Sequence, residues 1–386
     1  MSEAGESQHP DQFAGHPGRL ARAAVRTLSP YAPGKPIAEL ERELGITDII
    51  KLASNENPYG PAPATLAAMH AALAQVWLYP DGSCHELKDA LAGHLGVAAE
   101  CLTIGNGSND LLMLLAEAFL GAASSAVYSQ YGFAIYPLVI RATGAQAIEV
   151  PALPRESHMP LGHDLAAMAA AIRQDTRLVF IANPNNPTGT WAPAAAIRQL
   201  LERAPPSTLV VLDAAYFEYG RERGIVDAQP WLAEHPNLVL LRTFSKAYGL
   251  AGARVGYALS HPEVADVLNR LRPAFNVNAI AQAGAIAALQ QAAHMQRAVE
   301  ATMREQARVA AAIGHMGLWS APSAANFVLT QVGDDAARIF RALLERGIIV
   351  RPLGGYGLPQ YLRISIGLPA HNERLLQALA ELAGAR

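Results

Sequence analysis

Short apolar runs alternate with longer amphipathic segments along most of the chain, and this pattern predicts an α/β fold. The predicted strands of the first part are Cys101–Ile104, Ala126–Ser129, Ala147–Val150, Leu178–Ala182, Leu209–Asp213, Leu238–Thr243 and Arg254–Leu259. The predicted helices are Pro63–Leu78, Glu86–Leu95, Asn109–Phe119, Phe133–Ala142, Asp164–Arg173, Pro193–Arg203 and Glu263–Leu271. Strands that alternate with helices are typical of a parallel sheet with crossover helices.

The same pattern divides the chain, whose 386 residues exceed what one core usually supports. We expect residues 1–27 to be a disordered leader and residues 28–50, which include the amphipathic segment Ile37–Leu44, to be an arm that joins the small domain. Residues 51–278 are expected to form the large, cofactor-binding domain. Residues 279–386 should hold a long interdomain helix, Ala279–Ile313, and a small α+β domain with strands near Asn326–Thr330, Ile348–Val350 and Tyr361–Ile366.

Composition excludes several classes of protein. With 16% charged residues, a net charge of −3 and no basic block, the chain has no obvious surface for nucleic acid or membranes. Cys84 and Cys101 are too few for a disulfide framework, and the 12 histidines show no metal-binding spacing, so no metal site is predicted. The first nineteen residues lack the apolar core of a signal peptide, and no apolar run is long enough to span a membrane. We expect a cytoplasmic protein.

A buried strand that ends in a lysine carries the first chemical signal. The apolar run Leu238–Leu241 is followed by Arg-Thr-Phe-Ser and Lys246, and Arg254 lies eight residues further on. Open α/β sheets bind ligands at the carboxyl ends of their strands, so Lys246 is expected in the binding crevice. A Schiff base at Lys246, with a phosphate held by Thr243, Ser245 and Arg254, would anchor pyridoxal phosphate. The alternative is an exposed loop lysine.

Two further strand ends carry groups that suit the same cofactor. Asp213 follows four apolar residues, and a carboxylate there needs a cationic partner because an unpaired buried charge is unfavourable. The protonated pyridine nitrogen would be such a partner, and a salt bridge to an arginine is the alternative. In the rigid loop 183–189, Asn-Pro-Asn-Asn-Pro-Thr-Gly, the side chain of Asn186 could donate to the phenolic oxygen of the ring.

Other candidates would bind anions or stack on a ring. The turn 105–110, Gly-Asn-Gly-Ser-Asn-Asp, opens a helix and is either an anion site or a simple strand–helix joint. Tyr131 could stack on a heteroaromatic ring or belong to the core. Arg363, within an apolar strand, suits a planar anion, and Arg351 is a second anion-binding candidate or a solvated charge.

Taken together, these residues give the chain a family resemblance. Asn186, Asp213, Tyr216, Lys246 and Arg254 occur in the order found in the fold type I pyridoxal phosphate aminotransferases, which the chain resembles from about residue 28 to near its C-terminus. The strings LSPYAPGKP, KLASNENPYGP, YPDG, GNGSND, NPNNPTG, TFSKAYGLAGARVGY and YLRISIG look like those of the histidinol-phosphate aminotransferases. One departure is that the usual Asp-Glu-Ala-Tyr appears as Asp-Ala-Ala-Tyr at 213–216; the glutamate is not a core catalytic group in the family.

The resemblance implies a mostly parallel seven-stranded sheet sandwiched by helices, a smaller α+β domain, and a homodimer with shared active sites. Lys246 would be the catalytic residue and would move the proton at the substrate Cα. Asp213 would pair with the pyridine nitrogen, while Asn186 and Tyr216 would bind the phenolic oxygen. Tyr131 would stack on the ring. The phosphate would be held by the amides of Ser108 and Asn109, by Thr243, Ser245 and Arg254, and by the partner subunit's Tyr79.

The implied reaction moves an amino group between L-histidinol phosphate and 2-oxoglutarate, in histidine biosynthesis. Arg363 would bind the phosphate of one substrate or the carboxylate of glutamate, with Tyr31 and Arg351 shaping that end of the site. The alternatives are an aromatic-amino-acid aminotransferase acting on phenylalanine or tyrosine, and a threonine-phosphate decarboxylase. A transcriptional regulator built on an aminotransferase domain would need a DNA-binding extension, for which the polar leader is too short.

Overall fold

A seven-stranded sheet lies at the centre of the large domain. The structure is a computed structural model that describes residues 17–31 and 33–384. The strands are β1 (Ile50–Lys51), β2 (Leu102–Gly105), β3 (Ser125–Ser129), β4 (Gln146–Val150), β5 (Thr176–Ala182), β6 (Leu209–Asp213), β7 (Leu238–Thr243), β8 (Gly256–Leu259), β9 (Trp319–Ser320), β10 (Phe327–Gln331), β11 (Ile348–Ile349), β12 (Arg351–Leu353) and β13 (Leu358–Ser365). The strand order of the seven-stranded sheet is β2-β8-β7-β6-β5-β3-β4; β8 runs antiparallel to both neighbours, and the other pairs are parallel.

Helices cover both faces of this sheet, because the central strands are apolar on both sides. The helices are α1 (Ala23–Arg26), α2 (Ile37–Leu44), α3 (Pro63–Leu73), α4 (His85–Leu95), α5 (Ser108–Phe119), α6 (Ile135–Ala142), α7 (Leu165–Ala170), α8 (Ala194–Arg203), α9 (Phe217–Gly220), α10 (Pro262–Leu271), α11 (Ala279–Leu289), α12 (Ala292–His315), α13 (Ala336–Glu345) and α14 (Pro369–Gly384). Successive side chains of a strand point to opposite faces of the sheet. Leu212 packs into one hydrophobic cluster with α4, α8 and α11, and Val211 packs into the other with α5, α6 and α10. The predicted fold class is confirmed.

A second sheet, with strand order β12-β13-β10-β9, forms the small domain and packs against α12, α13 and α14. The segment that contains α2 leads to β1, which pairs in parallel with β11 of this domain. Through that pair, residues 52–55 pass directly beside β13, where Ser365 N donates to Leu52 O at 2.9 Å. The N-terminal segment and the small domain therefore approach the large sheet together. The predicted domain limits themselves stay a prediction.

Three predicted segments differ from the structure. The predicted helix Pro63–Leu78 ends at Leu73, and residues 74–78 form turns. The predicted long helix Ala279–Ile313 is broken at Gln290 and Gln291, since α11 packs on α3 and α4 whereas α12 continues to the small domain. Of the predicted leader, residues 17–26 contain a 3-10 turn and α1, which packs near α6, and residues 1–16 lie outside the described residues. No helix of the described residues is long and apolar enough to cross a membrane.

Candidate active site

A cavity of about 170 Å³ opens at the carboxyl ends of β5, β6 and β7, whose last residues Ala182, Asp213 and Thr243 line it. Parallel strands end at the same edge of a sheet, so residues far apart in sequence meet there. The small domain and the N-terminal segment close its outer side. The predicted site residues that line the cavity are Tyr31, Ser108, Asn109, Asn186, Asp213, Tyr216, Thr243, Ser245, Lys246, Arg254, Arg351 and Arg363.

Lys246 lies in the middle of this cavity, in the loop that follows β7. Its Nζ donates a hydrogen bond to the backbone oxygen of Ser54 at 3.0 Å and lies 5.6 Å from the centre of the Tyr216 ring. Desolvation, followed by the nearby Arg363 guanidinium, lowers the pKa of Lys246 from 10.5 to about 8. A lysine with such a pKa has a substantial neutral fraction near neutral pH and can act as a nucleophile or a base.

Asp213 is a buried carboxylate at the end of β6 that faces the cavity. Its Oδ2 accepts a hydrogen bond from the Tyr136 hydroxyl at 3.0 Å, and its Oδ1 accepts one from Ala215 N at 3.2 Å. Burial raises the pKa of Asp213, and these hydrogen bonds oppose the increase. The alternative of a salt bridge to an arginine is not found, since none of the ion pairs within residues 17–31 and 33–384 includes Asp213. A cationic group inside the cavity would supply the missing partner.

The anion-binding end of the cavity is built around the start of α5. Gly107 has a φ of +86° and turns the chain so that α5 begins at Ser108. A Cβ at Gly107 would overlap the Arg254 guanidinium, so the close approach requires glycine here. Arg254 Nη1 donates to Ser245 Oγ at 3.1 Å, and Ser245 N donates to Thr243 Oγ1 at 3.1 Å. A helix N-terminus, two hydroxyls and a guanidinium thus surround one position, which is a donor set suited to a phosphate.

The opposite end of the cavity carries two arginines. Arg363 in β13 is 5% exposed; its Nη1 donates to Asn186 Oδ1 and its Nη2 to Ala53 O at 2.6 Å. None of the ion pairs among the described residues includes Arg363, and its Nε has no hydrogen-bond partner there. Arg351 lies with its guanidinium carbon 5.7 Å from the centre of the Tyr31 ring. This end can therefore bind an anionic group of a substrate.

Tyr131 is not among the described residues that line the cavity. Its side chain packs against the apolar cluster around Leu161 and Leu329. Phe133, two residues later, lines the cavity and contacts Tyr31 edge-on at 6.4 Å. Tyr131 and Phe133 flank Gly132 in the turn after β3, and the predicted stacking of Tyr131 on the ring stays a prediction.

Tyr79 is also absent from the described lining of this subunit's cavity. Its side chain is 82% exposed and stacks on Phe275 at a centroid distance of 4.7 Å. It belongs to an exposed row of apolar residues that includes Leu73, Val76 and Trp77. Its predicted contact with the cofactor of a neighbouring subunit stays a prediction.

Sequence reasoning missed several groups that support the site. Asn55 Nδ2 donates to the Tyr216 hydroxyl at 2.9 Å, while Ser365 Oγ donates to Asn55 Oδ1 at 2.7 Å. Asn55 therefore connects the segments around residues 55, 216 and 365. The only sign of this contact in the sequence was the polar cluster around residue 55. Tyr136 was the other omission, although a tyrosine within the apolar helix α6 indicates a buried hydroxyl that needs a partner. No group of metal-binding side chains was found among the described residues.

The donor set of this cavity fits pyridoxal phosphate. A lysine of lowered pKa shares the cavity with a phosphate-type donor set and with a buried carboxylate that takes part in no ion pair among the described residues. Phe133 could pack on a flat ring, and Asp213 could pair with a protonated ring nitrogen. These features point to one ligand with a phosphate, a carbonyl carbon and a basic ring nitrogen.

Comparisons with known proteins agree with this geometry. Residues 47–381 match the family described as "Aminotransferase class I and II". Over 363 residues the chain is 51% identical to histidinol-phosphate aminotransferase 1 of Thiobacillus denitrificans, covering 94% of this chain and 93% of the relative. It is 50% identical to histidinol-phosphate aminotransferase 2 of Pseudomonas aeruginosa, covering 94% and 97%.

A solved structure gives the same result. Histidinol-phosphate aminotransferase from Sinorhizobium meliloti, in complex with pyridoxal-5'-phosphate, superposes with a TM-score of 0.86 at 33% identity and covers 94% of this chain and 97% of that one. The matches confirm the predicted aminotransferase class and its pyridoxal phosphate cofactor. The chain belongs to the class I and II aminotransferases and, within them, to the histidinol-phosphate aminotransferase family.

Proposed function

We propose that this protein moves the amino group of L-histidinol phosphate to 2-oxoglutarate, giving imidazole acetol phosphate and L-glutamate in histidine biosynthesis. The observation that carries the proposal is the buried Arg363, which lies in the same cavity as Lys246 and takes part in no ion pair among the described residues. Relatives about half identical in sequence that bear this enzyme name support the choice of substrate.

The residues of the cavity would hold pyridoxal phosphate in one orientation. Ser108 N, Ser245 and Arg254 would bind its phosphate, and Asp213 its ring nitrogen. Asn186 accepts a hydrogen bond from Arg363 through Oδ1, so its amide NH₂ is available to donate to the phenolic oxygen. The Tyr216 hydroxyl accepts a hydrogen bond from Asn55, so its own proton is available to the same oxygen. Held in this cavity, the cofactor would supply an electron sink that makes the Cα–H of a substrate amine joined to it acidic, while the Lys246 amine is free.

Lys246 would act as the general base of the reaction. Its Nζ would accept the proton that leaves the substrate Cα, because desolvation and Arg363 favour the neutral amine. Ser54 O, at 3.0 Å, keeps Nζ at the centre of the cavity. The buried surroundings limit the access of water, which would otherwise compete for this proton.

Arg363 would bind the anionic end of both substrates in turn. Two of its donor nitrogens are held by Asn186 and Ala53, so the guanidinium plane is fixed before a substrate arrives. A fixed fork of donors suits the carboxylate of glutamate as well as the phosphate of histidinol phosphate. Arg351, next to the Tyr31 ring, would add a second positive charge for the dianionic phosphate.

A homodimer with shared active sites belongs to the proposal. The exposed apolar row that includes Trp77, 79% exposed, and Tyr79 would be covered by a second copy of the chain. Tyr79 would then reach the phosphate site of the partner. We also retain the cytoplasmic location expected from the sequence, which fractionation of the source cells would test.

A single-turnover experiment tests which amine is the substrate. The protein loaded with pyridoxal phosphate is mixed, without a 2-oxo acid, with L-histidinol phosphate, L-phenylalanine or L-threonine phosphate, and the visible absorbance of the cofactor is followed. We expect rapid loss of the band with histidinol phosphate and a rate at least 100-fold lower with phenylalanine, since phenylalanine offers only a carboxylate with a single charge in place of the phosphate dianion that Arg363 and Arg351 would bind together. Equal or faster reaction with phenylalanine would make this an aromatic aminotransferase, and carbon dioxide released from threonine phosphate would make it a decarboxylase.

A further inference from the structure

Tyr136 is a buried hydroxyl group that points at the proposed cofactor-binding carboxylate. It lies in α6 and is fully buried, and its hydroxyl donates to Asp213 Oδ2 at 3.0 Å. The inference below rests on the proposed binding of pyridoxal phosphate. The feature of interest is the orientation and charge of the Asp213 carboxylate that would face the ring nitrogen.

The ring of Tyr136 is fixed by its neighbours. It stacks on Phe180 of β5 with a centroid distance of 5.0 Å and an interplanar angle of 10°. Phe133 contacts it edge-on at 5.9 Å and 89°. Close packing on these sides restricts the tyrosine to one position, so its hydroxyl has a defined direction.

Asp213 has no such restriction of its own. Rotation about the last bond of an aspartate side chain has broad energy minima, so the direction of its two oxygens depends on what they bind. Oδ2 is bound by Tyr136, and Oδ1 by Ala215 N at 3.2 Å. The second contact is the longer one, which makes the tyrosine the better anchor of the carboxylate plane.

The hydroxyl also favours the negative charge of Asp213. Burial raises the pKa of this carboxyl group, and the largest opposing effect is the hydrogen bond from Tyr136. The other titratable groups close to this pair are Lys246, Tyr216 and Tyr356. Burial raises the pKa of Tyr136 well above 10, so the hydroxyl keeps its proton and remains a donor.

We propose that Tyr136 is a positioning residue, whose hydroxyl holds the Asp213 carboxylate in the orientation that pairs with the ring nitrogen of pyridoxal phosphate. Tyr136 is not among the described residues that line the cavity, so it would act through Asp213. Through its edge contact with Phe133 it also supports the aromatic side chain on the cavity wall, so one residue supports two of the groups that face the ring.

The test compares two ligands on the protein freed of cofactor. One is pyridoxal phosphate, and the other is its analogue with the ring nitrogen replaced by a C–H group. Tyr136→Phe keeps the packed ring and removes the hydroxyl. A hydrogen bond to a charged group contributes substantially to the binding free energy, so we expect the variant to bind pyridoxal phosphate about 10- to 100-fold more weakly. Its affinity for the analogue should stay within about twofold of wild type, because that ligand offers Asp213 no nitrogen.

Tyr128→Phe is the matched control. Tyr128 is also buried, and its hydroxyl donates to a carboxylate, Glu149 Oε2, at 2.9 Å, but it is not among the described residues of the cavity lining. This variant should bind both ligands as wild type does. A second test variant, Phe180→Leu, loosens the Tyr136 ring without removing the hydroxyl and should cause a smaller loss with the same selectivity for pyridoxal phosphate.

Two results would overturn the inference. Unchanged binding of pyridoxal phosphate by Tyr136→Phe would show that the hydroxyl does not prepare Asp213. An equal loss for both ligands would mean that the substitution merely disturbs the fold. These failures differ from failure of the proposed function, in which the wild-type protein itself would bind no pyridoxal phosphate and the inference would fall with it.

Discussion

Replacing Lys246 by methionine should stabilise the protein freed of cofactor near neutral pH, although it removes the proposed catalytic group. The lysine ammonium is desolvated in the cavity and repelled by the Arg363 guanidinium, so the folded state holds it at a lower pKa than the unfolded chain does. Methionine has a similar shape and no charge to desolvate. Functional groups that are held under unfavourable conditions commonly lower stability in this way.

The magnitude follows from the pKa. A decrease from 10.5 to about 8 corresponds to roughly 3 kcal/mol of unfavourable free energy at pH 7. Methionine also loses the hydrogen bond from Nζ to Ser54 O, which is worth about 1 kcal/mol. The net gain is about 2 kcal/mol, and for a chain of 386 residues it should raise the midpoint of heat unfolding by about 2–3 °C.

The pH dependence gives the sharper test. Because the folded pKa lies below the unfolded one, the wild-type protein binds fewer protons when folded between pH 8 and 10.5, and its stability relative to Lys246→Met rises across that window. The advantage of the variant should therefore disappear by about pH 10. Lys35→Met is the control. Glu43 and Glu39 raise the pKa of Lys35, so the effect of removing this lysine on the stability of the protein has the opposite sign. A Lys246→Met variant that is less stable than wild type at pH 7, or whose advantage does not change with pH, would refute the reasoning.

Three further predictions concern the two ends of the cavity and the dimer. Gly107→Ala should weaken the binding of pyridoxal phosphate at least tenfold in a fluorescence titration, because the new Cβ would displace the Arg254 guanidinium; unchanged affinity would contradict the proposed phosphate site. Arg363→Lys should raise KM for both histidinol phosphate and 2-oxoglutarate by about 10- to 100-fold, since it loses the planar fork; an effect on one substrate alone would show that a different group binds the other. Trp77→Ser should weaken self-association at least tenfold in sedimentation experiments, and a wild-type protein that is monomeric at micromolar concentration would contradict the homodimer.

The sequence predicted those parts of the site that depend on strand ends. Asp213 and Lys246 follow buried strands of a parallel sheet, and such a sheet brings its carboxyl ends to one edge regardless of side-chain detail. The strands of the seven-stranded sheet were predicted from their apolar runs, whereas the short strands β1, β9 and β12 were not predicted. The helix start at Ser108 was also predictable, since a Gly-rich turn before a helix has few conformations; its role in binding a phosphate stays a prediction.

Side-chain direction in turns and contacts between distant segments were not predictable. Tyr131 and Phe133 both follow β3, and which one faces the cavity depends on the turn at Gly132 and on the packing of the small domain. Asn55 meets Tyr216 across 161 residues, and Tyr136 meets Asp213 across 77. The break between α11 and α12 left no clear signal, because glutamine is an adequate helix former and only tertiary packing interrupts the helix there.

Transfer of a labelled amino group is the most direct test of the central claim. The protein loaded with pyridoxal phosphate is incubated with L-histidinol phosphate carrying ¹⁵N in its amino group and with 2-oxoglutarate, and glutamate is analysed by mass spectrometry. We expect glutamate to gain the label in the wild-type reaction and Lys246→Ala to abolish the transfer. Unlabelled glutamate with the wild-type protein, or full transfer by Lys246→Ala, would contradict it.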